Sequence, residues 1–165
     1  MTANPVVLRV TPYTDPMVRL LEAGVQQEYV ARYGGPDRTP VDAAQFDPPA
    51  GVFLVGWVGA DAVACGGFRA NGPDAEIQRM YVQHHARGMG AGRQLVEQLL
   101  ADARAIGYRA VRLESLKVLA AAHALYRSVG FVEITSYAEN SMKNYQAAET
   151  LDTYRSSAVF MELRL

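Results

Sequence analysis

One segment of the sequence, Arg87-Gly-Met-Gly-Ala-Gly-Arg93, has the composition of a loop that binds an anion at the start of a helix. Helices usually begin with Ser, Thr, Asp or Asn and carry acidic residues in their first turn. The helix predicted after this loop has neither, and its first acidic residue is Glu97. Its backbone N–H groups and its dipole are therefore left for an external anion, which the glycines allow to approach the backbone closely. The alternative interpretation is a flexible connection between a strand and a helix.

The glycine spacing does not match two common nucleotide-binding motifs. A dinucleotide fingerprint requires G-x-G-x-x-G after the first strand and an acidic residue about 20 positions later. Here the spacing is G-x-G-x-G, and Glu114 comes late for that acidic residue. A Walker A loop requires Gly-Lys followed by Ser or Thr, whereas the lysines of the chain are Lys117 and Lys143. Both nucleotide-binding interpretations are therefore disfavoured.

Hydrophobic periodicity and turn residues divide the chain into the strands and helices of a mixed α/β or α+β fold. We expect strands at Val6–Val10, Val52–Val58, Ala62–Phe68, Ala75–Val82, Val111–Glu114, Val132–Ser136 and Ala158–Leu163. We expect helices at Pro16–Arg32, at about Gly90–Ile106, and around Val118, Ala122, Leu125 and Val129, with a loop or short helix within 36–50. Hairpins combined with strand–helix–strand units imply a mixed sheet with helices on its faces. Residues 137–157 are polar and show no clear periodicity.

The apolar run from Ala50 to Phe68 has two interpretations, a transmembrane helix and a β-hairpin. Asp61 interrupts the run, and an aspartate at the centre of a membrane helix costs roughly 2.5–3.5 kcal/mol. The run also contains five glycines and is rich in Val and Phe. This composition favours two strands joined by a turn at 59–61. We therefore expect a hairpin and no membrane association.

Length and composition indicate one domain and argue against several classes of protein. Of 165 residues, 50% are hydrophobic and 20% are charged, so we expect a single folded domain over residues 1–165. A net charge of −1 argues against a dedicated nucleic-acid-binding protein. The single cysteine, Cys65, is expected in the core and excludes an internal disulfide, and three histidines without Cys/His spacing argue against a metal site. The first residues show no signal-peptide pattern, so we expect a cytoplasmic protein.

Several segments together resemble the GNAT superfamily of N-acetyltransferases. Arg87-x-x-Gly90-x-Gly92 resembles the loop that binds the pyrophosphate of acetyl-CoA in that family, and Glu76-Ile-Gln-Arg-Met-Tyr-Val82 is similar to its fourth strand. Leu113-Glu-Ser115 resembles the end of the fifth strand, and Ala124-Leu-Tyr126-Arg-Ser-Val-Gly130-Phe131 resembles the late helix and the turn after it. The similarity keeps its order and spacing from about Val52 to Ile134, roughly half of the chain.

The resemblance implies a central, mostly antiparallel sheet of about seven strands with helices on both faces. Strands four and five would splay apart beside a bulge in strand four, and acetyl-CoA, the acetyl donor, would bind in that gap without a metal. Main-chain groups of strand four would bind the pantetheine arm, and the loop N–H groups would bind the pyrophosphate with Arg87 at its rim. The cofactor-binding residues so implied are Met80, Tyr81, Val82, Arg87, Gly88, Met89, Gly90, Ala91, Gly92 and Arg93.

The resemblance also supplies the reaction, a transfer of the acetyl group to a primary amine. An alkyl amine has a pKa of about 10.4, so a base or a relay water must remove its proton at neutral pH. Glu76 is the candidate base because it opens the fourth strand near the splay, and Gln78 would share its strand face if no bulge intervenes. With a reference carboxyl pKa of about 4.3, Glu76 would need a raised pKa or a relay water, and Gln78 is a candidate for orienting such a water. The alternative role of Glu76 is that of a partly exposed strand carboxylate.

Tyr126 is the candidate general acid. A phenol with a pKa of about 10 is protonated at neutral pH and can give its proton to a thiolate whose conjugate acid has a pKa of about 8.5. The backbone N–H of Tyr81 is a candidate for stabilising the oxyanion. The alternative role of Tyr126 is a core side chain on the helix face of Ala122 and Val129.

A few residues depart from the family pattern or have a second interpretation. Leu119 stands where many relatives carry an amide side chain that contacts the cofactor, so one polar contact is missing. The segment 137–157 is longer than the usual link before the last strand, and its tyrosines are candidates for an acceptor pocket or for ordinary loop packing. His123 is a candidate for cofactor contact or for the surface, and His84 and His85 are expected in a solvated turn.

From these observations we expect a one-domain N-acetyltransferase that moves the acetyl group directly from acetyl-CoA to an amine, without an acyl-enzyme. The alternative is a non-catalytic acyl-CoA-binding or sensor module of the same fold, which keeps the loop but has lost the acid–base pair. The presence of both Glu76 and Tyr126 favours the enzyme. The sequence leaves open the amine acceptor, from small molecules and antibiotics to peptides and proteins, and the oligomeric state, a homodimer included.

Overall fold

The fold is seen in a computed structural model, which describes residues 5–34, 41–116, 119–135 and 158–165. The helices in these ranges are α1 (Pro16–Tyr33), α2 (Ala91–Ile106) and α3 (Ala120–Ser128). The strands are β1 (Val6–Val10), β2 (Val52–Val58), β3 (Asp61–Asn71), β4 (Asp74–Val82), β5 (Ala110–Leu116), β6 (Val132–Ile134) and β7 (Ala158–Arg164). Two short 3-10 helices, Ala43–Phe46 and His84–Ala86, complete the described elements.

The strands form one sheet in the order β1-β2-β3-β4-β5-β7-β6. Neighbouring strands are antiparallel except for β4 and β5, which are parallel. The pairing of β4 with β5 is confined to Ala75 with Val111 and Glu76 with Arg112, and the strands diverge beyond it. The expected seven-stranded, mostly antiparallel sheet with a splay between strands four and five is therefore confirmed.

A bulge interrupts β4 beside this splay. The strand register shifts by one residue there, so that Arg79 and Met80 together lie opposite Gly66 of β3. Arg79 has a backbone φ of 59°, in the left-handed region that residues with a side chain seldom adopt. Gly66 lies opposite the bulge, where a Cβ would collide with the sulfur of Met80 unless the Met80 side chain moved. The bulge that the family resemblance implied is present.

Helices cover both faces of the sheet because the side chains of each strand alternate between two cores. Val52 and Leu54 of β2 belong to the core that α2 covers. Phe53 and Val55, on the opposite side of the same strand, belong to the core that α1 covers. The residues that α2 buries in the first core are Leu95, Val96, Leu99, Leu100 and Ala103, at the predicted helical spacing. Helices on both faces are therefore confirmed.

Two strands are longer than the sequence predicted. β3 continues to Asn71 instead of ending at Phe68, because its pairing with β4 extends to the turn at Gly72. β5 continues to Leu116 instead of ending at Glu114, because it pairs along its whole length with β7. The partner strand, rather than local composition, sets where these strands end.

The helices begin and end close to their predicted positions. Gly107 ends α2 in the left-handed conformation, with a φ of 105°, as predicted. α3 begins at Ala120, directly after Leu119. Val118, which the prediction placed in this helix, lies outside the described residues, as do residues 137–157 and their tyrosines.

The apolar run from Ala50 to Phe68 forms most of the β2–β3 hairpin, as expected. Its turn contains Gly59 with a φ of 60°, a conformation for which glycine is suited. Among the helices of the described ranges, none is long and apolar enough to cross a membrane.

Candidate active site

The loop before α2 leaves the first N–H groups of that helix without a side-chain cap. Gly90 occupies the N-cap with a φ of 84°, and no side chain in the described part of the chain caps the helix there. The first turn contains no acidic residue, so none opposes a bound anion from within the helix. Gly88 is also left-handed, and a Cβ on Gly88 or Gly90 would meet no atom within 4 Å. The backbone conformation therefore requires these glycines, and they border open space, as an anion site needs.

A cleft of about 510 Å³ opens in front of this helix start, beside the last residues of β4. Helix α1 contributes Val25, Glu28 and Tyr29 to its wall. Leu119 and Tyr126, just before and within α3, line the opposite part. Leu119 is therefore at the cleft, as expected, and gives it an apolar wall where relatives of the resembled family carry an amide.

The structure brings most of the implied cofactor-binding residues to this cleft. Those that line it are Met80, Tyr81, Val82, Arg87, Gly88, Gly90, Ala91, Gly92 and Arg93. Met89 is not among the lining residues, and its side chain is exposed. Gly92 also lets α2 pack closely on α3, because a Cβ there would lie 3.1 Å from Cδ2 of Leu125.

The two arginines that flank the loop are both paired with acidic residues. The Arg87 guanidinium donates hydrogen bonds of 3.0 and 2.8 Å to the carboxylate of Glu28 in α1. Its Nε donates a further hydrogen bond of 3.1 Å to the backbone oxygen of Val82. Arg93 forms an ion pair of 3.0 Å with Glu97, one turn along α2. Arg87 is therefore held between α1 and β4 at the edge of the cleft.

Tyr126 is buried in the core and also lines the cleft. It is 7% exposed, and its ring packs against Phe131 with the ring centroids 5.6 Å apart. Burial raises the pKa of the Tyr126 phenol, and the nearby Tyr29 of α1 raises it further. The predicted core position is therefore present together with a position in the cleft wall.

Glu76 lies in β4 but not among the residues that line the cleft. It is 1% exposed, so the alternative of a partly exposed strand carboxylate is wrong. The carboxylate accepts hydrogen bonds of 3.2 Å from Arg69, 3.0 Å from Asn71 and 2.6 Å from Gln78. Gln78 does share its strand face, because the bulge begins after it. The donors enclose the carboxylate, so a proton from the cleft can reach Glu76 only through an intervening water or side chain.

None of the three histidines is among the described residues that line the cleft. His123 is buried, and its Nε2 lies 3.0 Å from Oγ of Ser115, so the surface position considered for it is wrong. It is also absent from the cleft wall. His84 and His85 are exposed, and His85 lies 3.0 Å from Asp61. Within the described ranges, no three His, Cys, Asp or Glu side chains are arranged to hold a metal ion.

The α1 side of the cleft has no signal of function in the sequence. Val25 and Tyr29 show there only the apolar spacing of a helix, and Glu28 carries no motif. Their position depends on close packing of α1 against β4, where a Cβ on Gly24 would lie 3.3 Å from the hydroxyl oxygen of Tyr81. Such packing joins segments far apart in the chain, which the sequence pattern does not reveal.

Comparisons with known proteins agree with this architecture. The model of the acetyltransferase (GNAT) family matches residues 22–131. The IAA acetyltransferase of Azospirillum brasilense is 33% identical over 132 residues, which cover 79% of this chain and 86% of that protein. The chain belongs to the GNAT acetyltransferase family.

Solved structures share the fold over almost the whole chain. A Klebsiella pneumoniae protein described as a candidate acyl-CoA N-acyltransferase is 25% identical, with a TM-score of 0.74 and 97% of each chain covered. A Bacillus subtilis acetyltransferase, solved in complex with CoA, is 16% identical, with a TM-score of 0.65 over 97% of this chain and 99% of its own. Family and fold together define the protein as an acyltransferase.

The single cysteine gives a direct test of the core on the α1 face. Cys65 is 1% exposed, and burial raises the pKa of its thiol to about 12. We expect the native protein to react with a disulfide reagent far more slowly than the denatured chain, because the thiolate is both scarce and inaccessible. Release of the chromophore, followed in buffer and in denaturant, measures the difference. Equal rates in the two conditions would contradict the buried position.

Proposed function

We propose that this acyltransferase moves the acetyl group of acetyl-CoA directly to a primary amine, without an acyl-enzyme. The observation that carries the proposal is the uncapped start of α2, which opens into the cleft beside the β4–β5 splay. A diphosphate suits such a helix start, since the N–H groups and the dipole favour a bound anion. The CoA complex of the Bacillus subtilis structural neighbour and the name of the Azospirillum brasilense relative support the same donor.

The donor would supply a thioester carbonyl, which the amine nitrogen attacks so that a C–N bond forms and the C–S bond breaks. We assign the main chain of Met80, Tyr81 and Val82 to the pantetheine arm, because the pairing of β4 with β5 has ended before them. The N–H groups of residues 88–93 are assigned to the diphosphate. A main-chain N–H of β4 at the bulge is assigned to the oxygen that gains negative charge, where a fixed donor lowers the barrier. The N–H of Tyr81, which the sequence suggested for this role, is turned toward β3 by the pairing of Tyr81 with Cys65.

We assign the general acid to Tyr126. Tyr126 lines the cleft, and its phenol, protonated at neutral pH as any phenol is, has a proton to give to the departing thiolate. A thiolate whose conjugate acid has a pKa of about 8.5 leaves more readily when it is protonated as the C–S bond breaks. Proton donation by Tyr126 from the cleft wall therefore suits the step in which the C–S bond breaks.

We assign the general base to Glu76, acting through a water that Gln78 helps to orient. Gln78 contacts Glu76 at 2.6 Å and is itself partly exposed, so it connects the buried carboxylate with the solvent side of β4. The water would take the proton from the attacking amine and pass it toward the carboxylate. Only a relay of this kind suits the enclosed position of Glu76.

The enclosure of Glu76 also favours one alternative, a non-catalytic module that binds acyl-CoA. A carboxylate held by Arg69, Asn71 and Gln78 outside the cleft wall could serve the fold alone. An assay of thiol release with a panel of amines separates the two functions. Saturable binding of acetyl-CoA with no turnover on any amine would support the module.

A prediction for the loop before α2 compares two glycines of similar backbone conformation. Gly90 and Gly72 have φ values of 84° and 61°, and a Cβ on either would meet no atom within 4 Å. Gly90→Ala and Gly72→Ala should each lower the free energy of unfolding by about 1–2 kcal/mol, because alanine is strained in this region. Gly90→Ala alone should weaken binding of coenzyme A, by about tenfold, since it displaces N–H groups that contact the anion.

Isothermal titration calorimetry with coenzyme A measures the affinities, and urea denaturation measures the stabilities. Equal affinities of both variants and the unmodified protein would exclude the loop as the diphosphate site.

The second prediction concerns the general acid. Tyr126→Phe should lower kcat by about 100-fold or more, because the leaving thiolate loses its proton donor, while the affinity for acetyl-CoA changes little. Tyr108→Phe is the matched control, since its hydroxyl donates to the backbone oxygen of Ala50, away from the cleft. Steady-state thiol release and direct binding measure the two quantities. Unchanged turnover in Tyr126→Phe would remove the assigned role.

The third prediction separates a catalytic from a structural role of Glu76. Asp74 is the matched control, because it is an equally buried carboxylate of β4 that forms ion pairs with Arg109 and Arg112. Glu76→Gln and Asp74→Asn should both lower the melting temperature, since each removes the charge of a buried carboxylate that is ion-paired with arginine. Only Glu76→Gln should lower kcat, by about 100-fold. Similar kcat values for the two variants, below their melting temperatures, would make Glu76 a structural residue.

A further inference from the structure

Arg79 forms the bulge of β4 in a conformation that is unfavourable for arginine. Its φ of 59° lies in the left-handed region, where the Cβ of an ordinary residue is crowded by the backbone. Such a conformation persists only where the surrounding structure holds it. The Arg79 side chain is 7% exposed, although arginine is seldom buried unless it is paired.

Helix α1 supplies the partner that holds this side chain. Nε of Arg79 lies 3.2 Å from Oε1 of Glu22, and the hydroxyl of Tyr13 donates a hydrogen bond of 2.7 Å to the same oxygen. Burial raises the pKa of Tyr13 to about 12, so its hydroxyl remains a donor across the physiological range. The main-chain oxygen of Arg79 accepts from Sγ of Cys65 at 3.5 Å. The bulge is thus held through both its side chain and its backbone.

The ion pair between Arg79 and Glu22 lies next to two residues that line the cleft. Met80 and Tyr81 follow Arg79 directly and line the cleft. A rotation about the backbone bonds of Arg79 would turn the N–H groups of both residues, because they lie immediately after it in the strand. The side chain of Tyr81 also lies against α1, close to Gly24. Helix α1 therefore contacts β4 at the bulge, through Arg79, and again just after it, through Tyr81.

We propose that Arg79 is a positioning residue, whose ion pair with Glu22 holds the β4 bulge and so positions the main chain of Met80 and Tyr81 beside the acetyl donor. The effect on catalysis rests on the proposed function, whereas the effect on the bulge does not. Neither residue touches the reacting atoms. Arg79 and Glu22 act through the backbone that they hold in place.

The test uses variants that separate the ion pair from the backbone strain. Glu22→Gln removes the charge and keeps the shape of the side chain. Arg79→Gly removes the ion pair but suits the left-handed conformation, so it should fold. Arg79→Lys keeps the charge on the same strained backbone. Glu162→Gln is the control, because it breaks another ion pair between elements, with Nε of Arg112 at 2.7 Å, away from the cleft.

The first readout is amide hydrogen exchange in the protein without ligand. Glu22→Gln and Arg79→Gly should speed exchange at Tyr81, whose N–H is paired with Cys65 of β3, by about tenfold or more, since a lost local contact favours opening. Arg79→Lys should remain closer to the unmodified protein, and Glu162→Gln should leave this amide unchanged. Unchanged exchange in Glu22→Gln and Arg79→Gly would overturn the inference.

The second readout is turnover with acetyl-CoA and an amine. Glu22→Gln and Arg79→Gly should lower kcat by about tenfold to 100-fold, with less effect on KM for the amine, because a small displacement of positioned groups is costly. The double variant should be no slower than the slower single variant, since both changes remove one interaction. Arg79→Lys should recover most of the rate.

Additive losses in the double variant would overturn the pairing of the two residues, and normal kcat in both single variants would overturn their effect on catalysis. If the unmodified protein turns over no amine, the proposed function fails. The exchange measurement then still decides whether the ion pair holds the bulge.

Discussion

The structure depends on the requirement that backbone hydrogen-bonding groups find partners. In most of the sheet, the backbone N–H and C=O groups are paired with those of the neighbouring strand. In the helices they are paired within the same helix. Within the described residues, two of the places where this requirement is left open are the separation of β4 from β5 after Glu76 and the start of α2 at Gly90 without a side-chain cap. Both places border the same cleft. A ligand with amide groups at one end and a diphosphate at the other, such as the acetyl-CoA of the proposed function, would satisfy both.

Helix α1 closes the third side of this cleft and is bound to β4 and the loop by charge. Glu22 pairs with Arg79 at the bulge, and Glu28 pairs with Arg87 at the edge of the cleft. The two acidic residues lie six positions apart, somewhat less than two helical turns. One helix therefore contacts both the bulge and the loop, the two regions to which the proposed function assigns opposite ends of one extended ligand.

Features set by neighbouring residues could be predicted from the sequence, whereas features set by distant pairing could not. The glycine stop at Gly107, the hairpin and the loop before α2 depend on local conformation, so composition and spacing identify them. The family resemblance supplied the splay and the bulge. Nothing in the type of Arg79 indicates a left-handed residue, because that conformation depends on Glu22, far away in the chain.

The same distinction applies to the site residues. Tyr126 was recognised from its motif, and the structure gives it a buried, cleft-lining position compatible with the proposed role. Glu76 was recognised as well, but its enclosure by Arg69 and Asn71 follows from strand register and was not foreseen. The pairing of Arg87 with Glu28 spans 59 positions and has no local signature.

That pairing affects how a phosphorylated ligand approaches the protein. Arg87 and Arg93 are both neutralised by acidic partners, and the chain as a whole carries a net charge of −1. Attraction at the cleft therefore comes chiefly from peptide dipoles, whose influence fades within about one helical turn. Long-range electrostatic steering of a polyanion therefore contributes little, and the association rate constant would depend only weakly on ionic strength. The affinity would come mainly from a small dissociation rate constant.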